Sequence, residues 1–397
     1  MKRLYLALPA AAVAITVFLS GCSSSVGGQS TSAPTSSSSP TPTPSSTSVS
    51  CAEQVFASMT EAQLVGQLFI VGLRDDRLGS AEIAGIRKHH FGSLSFIVTT
   101  TAGVAGVKRV ADGAQALATK AITARVKFYV AANQEGGVIQ ALRGPGFSTM
   151  PTAVDQGKLS TSTLRADAQT WGEQLIAAGV NLNFAPVMDV VPAGTESKNQ
   201  PIGVLKREYG SDPATVGAHG VAFFRGMAKA GVTTSAKHFP GLGRVLGNTD
   251  FTANVVDSVT TPNDPDLASF RQAIDAGVPM VMVALALYKK IDPANLAVFS
   301  PTVMNLLRET YGFDGVIVSD DIGAAVAISN IPAGTRAIDF LQAGGDLIIS
   351  KYVQPADQMA DALLARAGSD PALRSRVQDA AMRVLRAKEA SGLLPCS

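Results

Sequence analysis

The chain carries chemically capable side chains in four short polar segments, each of which follows an apolar run. The segments are 133–137 (NQEGG), Asp189, the pair Lys237-His238 and 319–321 (SDD). Carboxylates beside lysine and histidine can transfer protons or hold a polar ligand. These residue types alone do not identify a reaction. Their chemistry depends on whether the strands and helices of the fold bring them together.

Apolar runs and amphipathic segments alternate along most of the chain. The runs are rich in Val, Ile, Leu or Phe, which predicts strands buried on both faces. The segments 163–178, 213–230, 266–276 and 301–311 predict helices, and Ser300-Pro301 places a capping serine before proline at the start of the last one. The predicted strands are 66–72, 92–98, 127–133, 180–187, 232–238, 279–285, 315–320 and 346–350.

Eight strands with intervening helices predict an α/β fold, a (β/α)8 TIM-like barrel that forms a single domain over residues 51–397. An open doubly wound sheet is the alternative, but no Gly-rich dinucleotide fingerprint follows any of the strands. Chemistry in a barrel lies at the C-terminal ends of the strands. The four polar segments would therefore meet at one face and form one site.

The composition excludes several classes of protein. Hydrophobic residues make up 46% and charged residues 16% of the chain, which is typical of a globular protein with a large core. A net charge of +2 gives no reason to expect a nucleic-acid partner. No Cys/His cluster has zinc spacing, so a structural metal site is not expected.

The N-terminus predicts an exported lipoprotein. Residues 1–21 have a basic start and an apolar stretch, 4–19, that is shorter than the roughly 20 residues a membrane span needs, as in a signal peptide. The sequence LSGC at 19–22 resembles a bacterial lipobox, which would leave Cys22 as the lipid-bearing first residue. The alternative is an ordinary signal peptide with an incidental cysteine.

Residues 22–50 would then tether the domain to the membrane. After Cys22 this segment has no charge and consists almost entirely of Ser, Thr, Pro and Gly, so it cannot bury enough apolar surface to fold. We expect the protein to be anchored at the outer face of the cell membrane, towards the cell wall. Two further cysteines, Cys51 and Cys396, mark the ends of the domain and predict a disulfide between them, with two free thiols as the alternative.

At this point the motifs resemble a known family. From about residue 64 to residue 349 the chain is similar to glycoside hydrolase family 3, in its bacterial β-N-acetylglucosaminidase branch, and its N-terminus looks like that of actinobacterial lipoproteins of this branch. One motif alone would be weak, but together they cover nearly the whole domain. They are VGQLFIVG (65–72), NQEGG with RGPGF (133–137 and 143–147), NFAPVMDV (183–190), IGVLKREYGSDP (202–213), KHFPGLG (237–243) and FDGVIVSDD (313–321).

The resemblance implies a retaining mechanism with a covalent glycosyl-enzyme. By motif position Asp320 is the nucleophile, and the alternative for this residue is a helix cap. Asp321 would support it by capping or hydrogen bonding. Lys237, His238 and Arg207 would contact hydroxyls of the N-acetylglucosamine ring, since all three can donate hydrogen bonds. For Lys237 the alternative is a buried lysine that balances a core carboxylate, and for Arg207 it is a surface arginine.

The loop after Lys237-His238 departs from the family. There the branch has a histidine where this chain has Leu242, and an Asp-His dyad that serves as acid/base. Asn248 and Asp250 stand at the two dyad positions. Asp250 is therefore the candidate acid/base, since a carboxylic acid is the usual proton donor of glycosidases. The alternative is a turn-forming aspartate.

Other departures concern the sugar site. Asn133 replaces an aspartate that accepts hydrogen bonds from sugar hydroxyls, and it keeps one acceptor oxygen. Val138 and Ala141 replace two arginines of the same loop, for which Arg143 is a candidate substitute. Leu285 stands where a histidine is common.

The scaffold and nucleophile thus predict a β-N-acetylglucosaminidase that acts on GlcNAc-containing saccharides such as peptidoglycan fragments. We expect it to be a monomer that needs no metal or organic cofactor. One alternative is altered chemistry on the same scaffold, another glycoside or another acceptor. A second is a catalytically silent wall-binding lipoprotein. A third alternative, from the lipobox and the length alone, is a solute-binding lipoprotein, but it would need two lobes around a hinge, and the eight predicted strands argue against that.

Overall fold

The computed structural model describes residues 49–396. The predicted signal peptide 1–21, the predicted lipid site at Cys22 and nearly all of the predicted tether 22–50 lie outside these residues. Within 49–396 no helix is both long and apolar enough to span a membrane.

Eight parallel strands close into one barrel. Neighbours in the chain are neighbours in the barrel, and the last strand pairs with the first through Phe69↔Ile348. The predicted (β/α)8 barrel is therefore confirmed, and the open sheet is excluded. The strands are β1 Phe69–Leu73, β2 Ser93–Phe96, β3 Tyr129–Ala132, β4 Leu182–Asn183, β5 Thr233–Phe239, β6 Met280–Val283, β7 Val316–Asp321 and β8 Leu347–Ser350.

Thirteen α-helices occur in the described residues, most of them around the barrel. They are α1 Cys51–Ser58, α2 Glu61–Gln67, α3 Ser80–His89, α4 Gly103–Gln115, α5 Lys120–Thr123, α6 Ala153–Gln156, α7 Thr161–Ala177, α8 Pro213–Lys229, α9 Ala268–Asp275, α10 Pro301–Asn305, α11 Ala333–Ala343, α12 Val353–Ser369 and α13 Pro371–Ala390.

Three predicted boundaries differ from the observed ones by three residues or more, each for a local reason, and the others differ by one or two residues at most. The run 66–72 starts as helix, because the Thr60 hydroxyl accepts from the Gln63 amide and its capping box begins α2. β4 is shorter than 180–187, since Pro186 has no N–H for a ladder. The helix at 301–311 starts as predicted, with Ser300 accepting from the Val303 amide, but turns into a π-helix at Leu306–Thr310.

The ends of the described chain meet at the N-terminal side of the barrel. Cys51 and Cys396 form a disulfide. The carbonyl of Leu393, close to that cysteine, accepts from the amide of Lys127, just before β3 begins. The disulfide therefore lies at the barrel face opposite to the C-terminal strand ends.

Candidate active site

A cavity of about 250 Å³ lies at the C-terminal ends of the strands. This is slightly below the usual size of small-molecule sites, and it suits one sugar ring better than a longer saccharide. Most of the predicted site residues line it. Those at its wall are Asn133, Arg207, Lys237, His238, Asn248, Asp250, Asp320 and Asp321, together with Lys351 and apolar side chains that include Ile97, Phe184, Leu242 and Met282.

The last two residues of β7 do different things. Asp320 lines the cavity and is partly exposed, and its Oδ1 accepts a hydrogen bond from the neighbouring Asp321 amide at 2.8 Å. Asp321 is buried and accepts from the amides of Gly323, Ala324 and Lys351. Burial raises the pKa of Asp321, against the opposing charge of Lys351. The capping of the turn is thus done by Asp321, which leaves the Asp320 carboxylate available to a ligand.

Glu135 organises the two cations of the site. Its carboxylate lies 2.6 Å from Lys237 Nζ and accepts from Arg207 Nε at 2.7 Å and Nη2 at 2.8 Å. Burial would raise the pKa of Glu135, but the two cations outweigh it and lower that pKa to about 2. Lys237 Nζ also donates to Asn133 Oδ1 at 2.7 Å. Lys237 and Arg207 are therefore fixed at the cavity wall rather than free to swing.

Asp189 fixes the position of His238 by hydrogen bonds. This fully buried carboxylate accepts from His238 Nδ1 at 2.7 Å and from the amides of His238 and Leu242. Because Nδ1–H donates a hydrogen bond to this carboxylate, the ring is oriented with Nε2 towards the site. Arg207 Nη2 lies 3.4 Å from that Nε2. The amide contact to Leu242 ties the start of the departing loop to the same anchor.

The loop with the candidate acid/base is docked onto the barrel. The carbonyls of Thr249 and Asp250 accept from the amides of Ala327 and Val326, in the segment that follows β7. The Asp250 amide donates to Asn248 Oδ1 at 3.0 Å. Asp250 lines the same cavity as Asp320, and its side chain is 34% exposed.

Lys351, directly after β8, is a site residue that the sequence reasoning missed. Its Nζ lies 3.2 Å from Asp250 Oδ1 and 3.7 Å from Asp321 Oδ2. Burial opposes the charge of this lysine, but the nearby carboxylates of Asp250, Asp321 and Asp320 outweigh it and raise its pKa. Gly72 allows this position, because a Cβ there would come within 2.3 Å of the Lys351 carbonyl oxygen.

Glu135 and Asp189 lie in polar segments that the sequence places at the strand ends, but their roles in holding Lys237, Arg207 and His238 were not predicted. For Lys351 the sequence signal was weak, a charge that directly follows an apolar run. None of them identifies its partner, because each partner is contributed by a different strand or loop.

The structure does not bring every candidate to the cavity. The Arg143 guanidinium donates to the carbonyls of Gly137 and Gln140, so its hydrogen bonds hold its own loop, and it does not line the cavity wall. Leu285 is fully buried in the core, and Val138 is exposed. Among residues 49–396 no group of three His, Cys, Asp or Glu side chains is arranged to hold a metal ion.

The sequence of the domain matches a known protein family and named relatives. Residues 60–387 match the family model described as glycosyl hydrolase family 3 N terminal domain. A β-hexosaminidase from Stenotrophomonas maltophilia (strain K279a) is 32% identical over 259 residues, which are 62% of this chain and 73% of that protein.

Solved structures resemble the fold closely. The crystal structure of a β-N-acetylhexosaminidase from Beutenbergia cavernae has a TM-score of 0.82 and 45% identity, and the match covers 83% of this chain and 99% of that one. The M tuberculosis protein LpqI has a TM-score of 0.72 and 28% identity, with coverage of 86% and 96%.

Proposed function

Because this chain belongs to glycoside hydrolase family 3 and is a glycoside hydrolase, we propose that it removes terminal β-linked N-acetylglucosamine by a retaining two-step mechanism. The observation that carries the proposal is that Asp320 and Asp250 line one cavity of about 250 Å³. A retaining glycosidase needs two carboxyl groups facing one sugar. The relatives named as hexosaminidases support the choice of sugar.

In the first step an Asp320 oxygen attacks the anomeric carbon and forms an ester bond as the glycosidic C–O bond breaks. Asp250 must be protonated at this step although the Lys351 ammonium lies 3.2 Å from it, and it gives that proton to the departing oxygen. In the second step the Asp250 carboxylate takes a proton from water, the water oxygen attacks the anomeric carbon, and the Asp320 ester bond breaks. Both carboxyl groups then return to their starting states.

The cations at the wall hold the sugar. Lys237 Nζ uses two hydrogens on Glu135 and Asn133, which leaves a third for a hydroxyl. His238 presents Nε2, and Arg207 lines the cavity beside it. Neutral sugar hydroxyls are recognised by such pre-positioned donors and acceptors.

The substrate in the cell would be peptidoglycan fragments, whose GlcNAc–MurNAc linkage is β. This part of the proposal rests on the N-terminal sequence, where the signal peptide 1–21, the lipid site at Cys22 and the tether 22–50 would hold the enzyme at the outer face of the membrane. A radiolabelled palmitate incorporation assay with Cys22→Ser as control tests the anchor separately.

Hydrolysis of an aryl β-N-acetylglucosaminide tests the chemistry. The full chain is compared with Asp320→Ala and Asp250→Asn, and with Asp314→Asn as an exposed aspartate just before β7. We expect Asp320→Ala to lose nearly all turnover and Asp314→Asn to keep it. Asp250→Asn should lose least on activated leaving groups, which need little protonation.

An inert wild-type chain that still binds N-acetylglucosamine would overturn the proposal and favour a saccharide-binding protein. Turnover that survives Asp320→Ala would remove the nucleophile assignment. Equal losses for Asp250→Asn on good and poor leaving groups would remove the acid/base assignment.

A further inference from the structure

A groove, here called the α4–α7 groove, lies at the side of the barrel opposite to the catalytic cavity. Its volume is about 420 Å³. Its wall includes Asp112 and Gln115 at the end of α4, Ile176 at the end of α7, and Arg125 and Lys127 between α5 and β3. The helices of a (β/α)8 barrel end where the next strands begin, so the groove opens at the N-terminal side of the strands.

The cations of the groove are free to meet a ligand. Within residues 49–396 the guanidinium of Arg125 and the ammonium of Lys127 are exposed and make no hydrogen bond or ion pair. The same holds for the ammonium of Lys120 on α5. The Arg125 amide donates to the carbonyl of Thr119, which brings the start of α5 back towards the groove. Three unpaired positive charges therefore lie in one short segment.

The acids nearby do not cancel these charges. Asp112 lines the groove, but its carboxylate accepts from Lys108 Nζ at 2.7 Å and 2.8 Å. Glu173 is an exposed acid one turn before Ile176 on α7. Glu389, at the end of α13, accepts from the Cys51 amide and does not line the groove. Four cations, with Lys108 included, stand against the carboxylates of α4 and α7, so the groove favours an anionic partner.

An exposed apolar side chain lies among the cations. Ile176 is 41% exposed and lines the groove. Val49, where the described residues start, is 60% exposed. Apolar side chains surrounded by lysine and arginine are typical of surfaces that lie in the interfacial region of a bilayer.

The chain enters the domain on this side. The Lys127 amide donates to the carbonyl of Leu393, in the segment that carries the terminal disulfide. Residues 23–48 join Val49 to Cys22, the proposed lipid site, and a chain of that length extends at most about 90 Å. An anchored domain therefore stays close to the bilayer, and a weak attraction is enough to dock it.

We propose that the α4–α7 groove, together with Lys120, docks the domain onto a bilayer that contains anionic phospholipid. The three unpaired cations contact the lipid phosphates, and Ile176 enters the interfacial region. The catalytic cavity, on the opposite side, then opens away from the membrane. The inference rests on the proposed function, from which it takes the lipid anchor at Cys22.

The test uses the full lipid-anchored chain in two kinds of vesicle, phosphatidylcholine alone and phosphatidylcholine mixed with phosphatidylglycerol. Three proteins are compared: wild type, the double variant Arg125→Gln/Lys127→Gln, and the control Lys289→Gln/Lys290→Gln. The control removes two exposed lysines that follow β6, on the catalytic side. Amide hydrogen exchange is measured at residues 116–128 and 176–181.

We expect the mixed vesicles to slow exchange in both segments of wild type severalfold, and phosphatidylcholine alone to leave it unchanged. The slowing should disappear in Arg125→Gln/Lys127→Gln and at high salt, since the attraction is between charges, and it should persist in the control. Each lysine or arginine near an anionic surface strengthens binding about fivefold, so the double variant should bind roughly twentyfold more weakly.

Four results would overturn the inference. They are exchange that the mixed vesicles do not slow, equal slowing on phosphatidylcholine alone, slowing that survives in the double variant, and slowing that is also lost in the control. Slowing without vesicles would likewise replace the bilayer with another partner. A dependence on protein concentration would identify a second copy, and slowing by inorganic phosphate alone would identify a small-anion site.

Failure of the anchor is distinguishable from failure of the groove. If wild type incorporates no palmitate, the anchor proposal fails, and the unanchored chain is sedimented with the mixed vesicles instead. Binding that Arg125→Gln/Lys127→Gln weakens and the control keeps supports the groove without the anchor. No binding, or equal binding by all three proteins, refutes it. Palmitate incorporation with unslowed exchange keeps the anchor and refutes the docking surface.

Discussion

The ammonium of Lys351 lies 3.2 Å from the carboxylate of Asp250 and so joins the end of β8 to the loop that follows β5. The same residue reaches Asp321 through both its side chain and its backbone amide. One lysine thereby connects the candidate acid/base to the turn that carries the candidate nucleophile.

Lys351→Met should free the loop while leaving the barrel folded. Because the ion pair holds Asp250 at the cavity, we expect kcat to fall about tenfold, with a smaller change in KM. Amide hydrogen exchange at residues 248–251 should accelerate. Lys290→Met, at an exposed lysine, is the matched control. Unchanged exchange in Lys351→Met would show that the backbone contacts alone hold the loop.

Glu135→Gln should destabilise the protein because it leaves Lys237 and Arg207 buried without their anion. Breaking a buried pair in this way costs about 3–5 kcal/mol. Urea unfolding at pH 7 measures it, with the exposed Glu173→Gln as control. A difference below 1 kcal/mol would mean that water replaces the anion.

The effect of Glu135 should depend on pH. Its pKa is lowered to about 2 in the folded protein from an ordinary value of 4.5. The unfolded chain therefore takes up the proton first as the pH falls, and the stabilisation is complete above pH 4.5 and lost towards pH 2. The gap between wild type and Glu135→Gln should narrow over that range. A constant gap would contradict the assignment.

Lys388 should make the protein more stable at alkaline pH. This fully buried lysine donates to Gln67, to Gly92 and to Lys127, and burial lowers its pKa to about 7 from an ordinary 10.5. Between these values the unfolded chain binds more protons than the folded one, so stability rises with pH. Melting temperatures from pH 7 to pH 10 should rise less in Lys388→Met than in wild type. The exposed Lys229→Met should follow wild type, and parallel curves for Lys388→Met would refute the prediction.

The disulfide should contribute several kilocalories per mole. It closes a span of 345 residues and holds α1 against α13. The chain-entropy account gives roughly 6 kcal/mol for a loop of this length. Reductant should therefore lower the free energy of unfolding of wild type by roughly this amount and leave the Cys51→Ser/Cys396→Ser variant unchanged. An insensitive wild type would show that the packing of α1 suffices.

The barrel and the cavity residues at the strand ends could be predicted from the sequence, because buried parallel strands appear as apolar runs and their ends converge by topology. Arg207, Asn248 and Asp250 were predicted from the resemblance to the family. The ion pairs that these residues form with one another could not be predicted. Glu135 pairs with Arg207, 72 positions away, and Lys351 with Asp250 on another loop. Such pairs leave no local pattern, and the direction of the Arg143 guanidinium, towards Gly137 and Gln140 of its own loop, depends on the path of that loop.

The two ends of the domain lie together at the face opposite to the catalytic mouth. A linker, resin or sensor surface joined at either end would therefore present the cavity outward. Immobilising the protein through residue 49 or residue 396 should preserve access for large saccharides, whereas random coupling through surface lysines would obstruct a fraction of the molecules.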